Sequence, residues 1–362
     1  MKTKMQRCKN QHYLPCFLMR GFLTNNAQKK GELTHAFFKD DKYSFRHARS
    51  IRSIGHDEFF YDTEEKSADE HITRLENTWA TQLDNARKTA SIATDDIQWI
   101  SSFISHLVMR TENTRNTFRD MQQNVATEAD KHLNNMQSIT EITNLYLAES
   151  EKMREIKRLL SILQKSKVTS KKKIPTAHQL ASTMAQHIHK QFQPIFQSMP
   201  TEINNSTKSA HIDALTTDPD TLGRTQQYRN MFWTIRNYTA DTLILGDIGP
   251  VAIEQHGNHT LAVLCSQPSV ILLPISSKSL LLGTKETLPP NFSPEEINAM
   301  SASLSSNFFI AASVTPENEA LRTHINSKRT VHITSSFNKA VATSPFSTSS
   351  IISIMKTQKK RR

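Results

Sequence analysis

The chain has 362 residues, with 45 Lys and Arg against 34 Asp and Glu for a formal net charge of +11, and 37% of its residues are hydrophobic. That length buries a substantial core in one large or two ordinary domains, and only 8 glycines argue against a turn-rich all-β architecture. Cys8, Cys16 and Cys265 are too scattered for a disulfide framework or a thiolate metal site, and no apolar run reaches the length of a membrane span, so a soluble protein of the reducing cytoplasm is expected.

The first predicted element lies between residues 10 and 22. Pro15 has a fixed φ and no donor N–H, which suits the first position of a helix and holds Leu14 extended. His12 and Tyr13 then stand just outside the helix, while Phe17, Leu18 and Phe22 form its apolar stripe. His12 reads either as a hydrogen-bonded structural histidine beside Tyr13 or as a general base or phosphate contact. The dyad alone leaves both open. The same N-terminal region carries Lys2, Lys4, Arg7 and Lys9, but polar Asn10, Gln11 and His12 follow and Pro15 and Arg20 interrupt the next run, a poor signal-peptide core.

Residues 33–38 and 43–47 are rich in aromatics and are predicted to pair as strands across the turn Lys39-Asp40-Asp41-Lys42. Helices follow. Ile72, Leu75, Trp79, Leu83 and Ala86 share one helical face, Thr94, Asp95 and Asp96 open the next helix, and Ile97, Ile100, Ile104, Leu107 and Val108 stripe it. Residues 113–164 contain neither Pro nor Gly and read as one very long helix or two in series. A charged linker over 166–175 leads to a helix over 177–192 closed by Pro194 and Pro200, and the Asn/Ser/Thr-rich residues 201–221 read as a loop. Short apolar runs at 231–238, 243–245, 261–265, 270–274 and 279–282 predict a small, mostly antiparallel sheet. Ser293-Pro294-Glu295-Glu296 is a helix start, 308–314 a last strand, and 335–362 a disordered basic tail rich in Ser and Thr. The expected fold is α+β: one domain over residues 1–334 with a helix-rich body at about 63–200 and the sheet-forming segment at about 230–315.

The positive charge is local. Residues 1–30 hold seven Lys or Arg and no acid, residues 320–362 hold nine and no acid, and 152–173 hold nine against the single acid Glu155. The remainder is acidic. Such basic segments contact a polyanion such as nucleic acid, or serve only as solvated faces and tails.

Asp247 follows a predicted strand, with Gly246 and Gly249 free to take unusual backbone angles and Pro250 stiffening the turn. A carboxylate there serves as a base, or simply as a turn residue. His12 and Asp247 would make an acid/base pair with Tyr13 as orienting donor if the fold brought them together. Arg110 and Arg115 on one ideal helix are about 140° apart, which rules out a single-faced clamp and leaves one of them to face inward. His56-Asp57-Glu58 and His187 with His189 are close groups of ligand-type residues. The latter pair does not share a helical face, no metal set is expected, and no cofactor motif occurs.

His12, Tyr13, Pro15, Phe17, Arg20 and Phe22 resemble the N-terminal signature of the bacterial domain-of-unknown-function family 4238, a His-Tyr-hydrophobic-Pro motif followed by Phe, Leu, Arg and Phe positions. Phe59-Phe60-Tyr61, the stretch from Arg110 to Arg115, and Gly246-Asp247-Ile248-Gly249-Pro250 resemble the family in the same order, the last departing from its Ser-Asp-Asn-Pro form. The resemblance implies one coherent fold and no settled activity. Two functions are expected from the residues. One is a nucleic-acid-directed, nuclease-like effector of bacterial conflict or defence, with His12, Tyr13 and Asp247 catalytic and Arg20, Arg110 and Arg115 binding. The other is a non-enzymatic binding or regulatory module whose basic tails contact an anionic partner.

Overall fold

The structure, a computed structural model, describes residues 9–24, 31–40, 46–134, 140, 158, 162, 177–287 and 290–328. The expected tail and most of the basic stretch 152–173 lie outside them. Helices and antiparallel sheets make an α+β fold, as the patterning predicts. Contacts divide the chain into two compact units, one from residues of Met1–Phe118 and Thr207–Arg362 and the other from Arg119–Ser206. Among the described residues no helix is long and apolar enough to cross a membrane.

In the first unit, β1 (Asn10–His12) pairs with β4 (His56–Glu58) in a two-stranded ribbon. β2 (Leu33–Phe38) is central in a four-stranded sheet of order β3-β2-β11-β6, with β3 Arg49–Ser50, β6 Leu245–Gly246 and β11 Phe308–Ala311. Of the predicted pairing between 33–38 and 43–47, residues 41–45 lie outside the described residues and Arg46 and His47 are not in a strand; β2 instead pairs antiparallel with β3 on one edge, Leu33 opposite Ser50 and Thr34 opposite Arg49, and with β11 on the other. On the β11 edge the register sets Phe37 opposite Phe309 with their rings stacked 4.8 Å apart, both fully buried.

The larger sheet has the order β5-β10-β9-β7-β8, from β5 Phe232–Asn237, β7 Val251–Glu254, β8 His259–Leu261, β9 Pro268–Pro274 and β10 Ser279–Thr284, every pairing antiparallel. β5, β9 and β10 fall on the apolar runs read from the pattern at 231–238, 270–274 and 279–282. β7 was not expected, and the run at 261–265 turns after Leu261, where the Leu264 and Cys265 amides return to the Leu261 carbonyl. Gly283 faces Trp233 across the ladder, and a Cβ there would lie 2.8 Å from the indole, so only glycine lets the ring lie over the strand.

The helices follow their stripes. α1 (Cys16–Met19) is a single turn, and α2 (Asp69–Thr89) buries Ile72, Trp79, Leu83 and Ala86 before ending at Ala90 with φ 52°. α3 (Asp96–Arg110) is buried on most of its circumference, with Phe103 between the rings of Phe17, Trp79 and Trp99. The stretch from Arg110 to Arg115 is not one helix. Thr111 is extended (φ −65°, ψ 148°) and its hydroxyl accepts from the Thr114 amide, capping α4 (Glu112–Asn134). α5 (Ala177–Thr216) runs through Pro194 and Pro200, where closure was expected, and occupies most of the predicted loop. A proline deletes one ladder bond without forbidding a helix. Burial of Thr207, His211 and Leu215, four apart on one face, holds the last turns. The 3-10 turn Pro219–Thr221 and α6 (Gly223–Arg229) follow. α7 (Pro294–Leu304) starts at the expected Ser293 cap, to which Glu296 adds a full capping box, and α8 (Pro316–Arg322) ends the described helices.

Candidate functional site

Pro15 is extended at ψ 133° and sits just before α1 rather than as its first residue. Its carbonyl accepts the Leu18 and Met19 amides, while the Tyr13 and Leu14 amides both reach the Gly55 carbonyl. The chain is thereby pinned on both sides of the dyad. Across the ribbon His12 lies in register with His56, and the two imidazoles meet edge-on with centroids 5.2 Å apart. Both residues are partly exposed, yet His12 Nε2 and His56 Nδ1 are buried with no hydrogen-bond partner among the described residues. Burial, then His56 and Arg110, lower the proton affinity of the His12 ring, against a raising contact from the Arg52 main chain.

The His12 carbonyl has a different use. It accepts from Tyr61 Oη at 3.0 Å, from Arg110 Nε at 3.0 Å and from Arg110 Nη2, while Arg110 Nε also meets Tyr61 Oη at 2.9 Å and Nη1 pairs with Glu76. The Arg110 side chain is 3% exposed. Burial alone would lower its proton affinity, but Glu76 and Tyr61 hold it above the ordinary arginine range.

Arg115 turns inward too, off the neighbouring helix. Its guanidinium lies 3.5 Å over the Phe60 ring, and its Nε and Nη2 meet His211 Nδ1 at 3.0 and 2.8 Å. His211 Nε2 donates to the Met109 carbonyl at 2.6 Å, so the ring is neutral and Nδ1 is the acceptor. Arg20 is exposed and paired with Glu32 at 2.6 Å. The three arginines expected to bind a ligand therefore hold three separate sets of partners within the fold.

Asp247 is buried, and its carboxylate accepts the amides of Ser306 at 2.8 Å, Asn307 at 2.7 Å and Phe308 at 3.2 Å. Desolvation pushes its pKa up to about 6 despite those three donors. Gly249, with φ 71°, closes the turn onto Leu107. Tyr13 is the residue of the dyad nearest in charge terms to Asp247. Burial, then Asp247 and Glu112, raise its proton affinity, its hydroxyl hydrogen-bonds Glu112, and Glu112 in turn accepts from Asn307 Nδ2 at 3.3 Å. Asp247 thus joins Tyr13 through Glu112 and Asn307, whereas the His12 ring answers to His56, Arg110 and Glu76. His56 belonged to a close group of ligand-type residues in the sequence, but only the strand register sets it against His12. Tyr61 and Glu112 fell within the stretches 59–61 and 110–115 without being singled out, and Glu76 and His211 carried no local signal. Among the described residues no three His, Cys, Asp or Glu side chains are placed to hold a metal ion.

These groups set the acid response. His211 is lowered to about 3 by burial and Arg115, and His106 is held well below its ordinary value 6.5 by burial and Arg110. Each imidazole titrates near 6.5 unfolded, so its contribution is complete above that pH and is lost as pH falls toward the folded value, at up to about 1.4 kcal/mol per pH unit. Asp247 has the opposite sign: its folded pKa of about 6 exceeds the unfolded 3.8, so it favours the fold at low pH and loses that contribution as pH rises through about 6. Two imidazoles outweigh one carboxylate. The urea midpoint is expected to fall between about pH 7 and about pH 4.5, less steeply in His211→Gln; a level or rising wild-type midpoint would contradict the assignment.

The chain matches no curated protein and no solved structure. Residues 10–343 match the family model described as protein of unknown function, DUF4238, and the chain, with its His12-Tyr13-Leu14-Pro15 segment at the ribbon and Asp247 in the turn, belongs to that family.

Proposed function

We propose that this protein acts on nucleic acid as a nuclease-like enzyme, with His12 and His56 handling the protons. The observation that carries the reading is the cross-strand imidazole pair, in which each ring keeps one buried nitrogen without a partner among the described residues. Buried polar atoms usually find partners, and those that do not mark reactive groups or ordered water. The lowered proton affinity of His12 suits a base that takes the proton of the attacking oxygen, and His56 would return a proton to the leaving oxygen as the P–O bond breaks. Tyr13, with its proton held firmly, is an orienting donor, and Asp247 shapes the turn behind it. The basic segments supply attraction for a polyanion. Incubation of the purified protein with labelled single-stranded RNA, single-stranded DNA and duplex DNA tests the reading. Cleavage of at least one substrate is expected, with His12→Ala reduced by about a hundredfold or more at unchanged thermal stability. Absence of cleavage by the wild type, or equal cleavage by the variant, would overturn it.

A second reading, a non-enzymatic binding or regulatory module, draws support from Arg110 and Asp247, whose hydrogen bonds are spent on their own fold. It predicts salt-dependent binding of a polyanion with no turnover.

A further inference from the structure

We propose that the outer edge of β5 is a dimer interface, at which a second copy of this chain lays its own β5 antiparallel to the first about a twofold axis at Ile235. This surface is independent of the His12–His56 reading.

β5 closes one side of the five-stranded sheet, and its six residues pair with β10. The Tyr238 amide donates to the Lys278 carbonyl at 2.7 Å, which fixes the alternation along the strand. The main-chain groups of Phe232, Thr234 and Arg236 therefore face β10. Those of Trp233, Ile235 and Asn237 point outward, where no strand meets them among the described residues. Such a row of donors and acceptors is a template for another strand unless the edge is short, charged or interrupted. The other edge strands among the described residues are short: β1, β4 and β8 have three residues each, and β3 and β6 have two. β5 has neither that protection nor a proline or lysine, and its Phe232 is 52% exposed.

The register says what fits there. Outward groups bond only to outward groups, so odd-numbered residues of one β5 must oppose odd-numbered residues of the other. With Ile235 opposite Asn237, each Arg236 faces its own copy, and like charges directly opposite destabilise a ladder. With Trp233 opposite Ile235, the ladder would draw in Met231, which is buried in its own fold. With Ile235 opposite itself, all six residues overlap and no like charges meet. Trp233 then opposes Asn237, Thr234 opposes Arg236, and the exposed ring of Phe232 meets Tyr238 of the copy, two aromatic pairs by symmetry. This alignment adds about six main-chain hydrogen bonds and closes as a twofold dimer without leaving a second long edge. One strand pair is a small interface, so the association is reversible.

Sedimentation equilibrium of the full chain from about 1 to about 300 µM, at low ionic strength, tests the interface. A monomer–dimer equilibrium with Kd of about 10–100 µM is expected. Thr234 is exposed, so its substitution leaves the thermal midpoint unchanged. Thr234→Glu, set opposite Arg236 of the copy, should tighten the dimer about threefold to tenfold, and Thr234→Lys should weaken it by a similar factor. Ile235→Pro removes an outward donor and no bond to β10, and should leave only monomer. A wild type that stays monomeric across the range would overturn the proposal. So would a dimer that Ile235→Pro leaves intact, or one that the glutamate and lysine variants affect alike.

Discussion

Replacing Arg110 by alanine is expected to destabilise the protein by about 3–5 kcal/mol, the largest effect of any single substitution in the ribbon region. The guanidinium joins β1 through the His12 carbonyl, the Phe59–Tyr61 turn through Tyr61, and α2 through Glu76. Its removal strands a carboxylate that is only 26% exposed and takes from the buried Tyr61 hydroxyl its donor, leaving only the bond to the His12 carbonyl. Stranding one partner of a buried pair costs far more than the pair contributes against a hydrophobic replacement. Arg110→Lys should recover little, because one ammonium cannot reach the carbonyl, the phenol and the carboxylate together. Arg110→Met with Glu76→Leu should recover part of the loss. Urea unfolding at pH 7 checks the series; a loss below about 1 kcal/mol for Arg110→Ala would show that the guanidinium is not the tie described.

The second large effect is at Asp247. Asp247→Ala leaves the amides of Ser306, Asn307 and Phe308 without their shared acceptor in a turn that leads directly into β11, the strand at the centre of the aromatic stack. Unsatisfied buried donors cost about 1–3 kcal/mol each and add imperfectly, so about 3–4 kcal/mol is expected. Asp247→Asn keeps an acceptor oxygen and should lose about half of that. It should also remove the carboxylate contribution to the pH dependence below about pH 6. Stability at pH 7 together with any measured activity separates two roles. A turn residue lowers both only as the fold is lost, whereas a reacting group would lower activity while the alanine variant stayed folded.

Much of this architecture is legible along the chain, and the exceptions share one cause. The stripe of Ile72, Trp79, Leu83 and Ala86, the capping box at Ser293 and the apolar runs of β9 and β10 are local patterns, and the structure returns them. What the patterns missed depends on partners distant in sequence. β2 is joined on its far edge by β11, where Phe37 and Phe309 stack; α5 persists beyond Pro200 because Thr207, His211 and Leu215 are buried. Thr111 breaks the helix, which the Thr111 and Thr114 hydroxyls compensate locally, and the break lets Arg110 and Arg115 both turn inward on different helices. The site followed the same rule. His12 was singled out by its neighbour Tyr13 and by Pro15, but its partner is set by a register that no spacing discloses, and Asp247 proved to be linked to Tyr13 instead.

The imidazole pair is therefore where the account stands or falls. The direct measurement is the rate of cleavage of a labelled single-stranded nucleic acid across pH by the wild type, His12→Gln and His56→Gln, each checked for an unchanged thermal midpoint. The account predicts a wild-type rate with two limbs, loss of about a hundredfold or more in either variant, and the loss of a different limb in each. Wild-type protein with no cleavage at any pH, or glutamine variants that cleave at the wild-type rate, would contradict it.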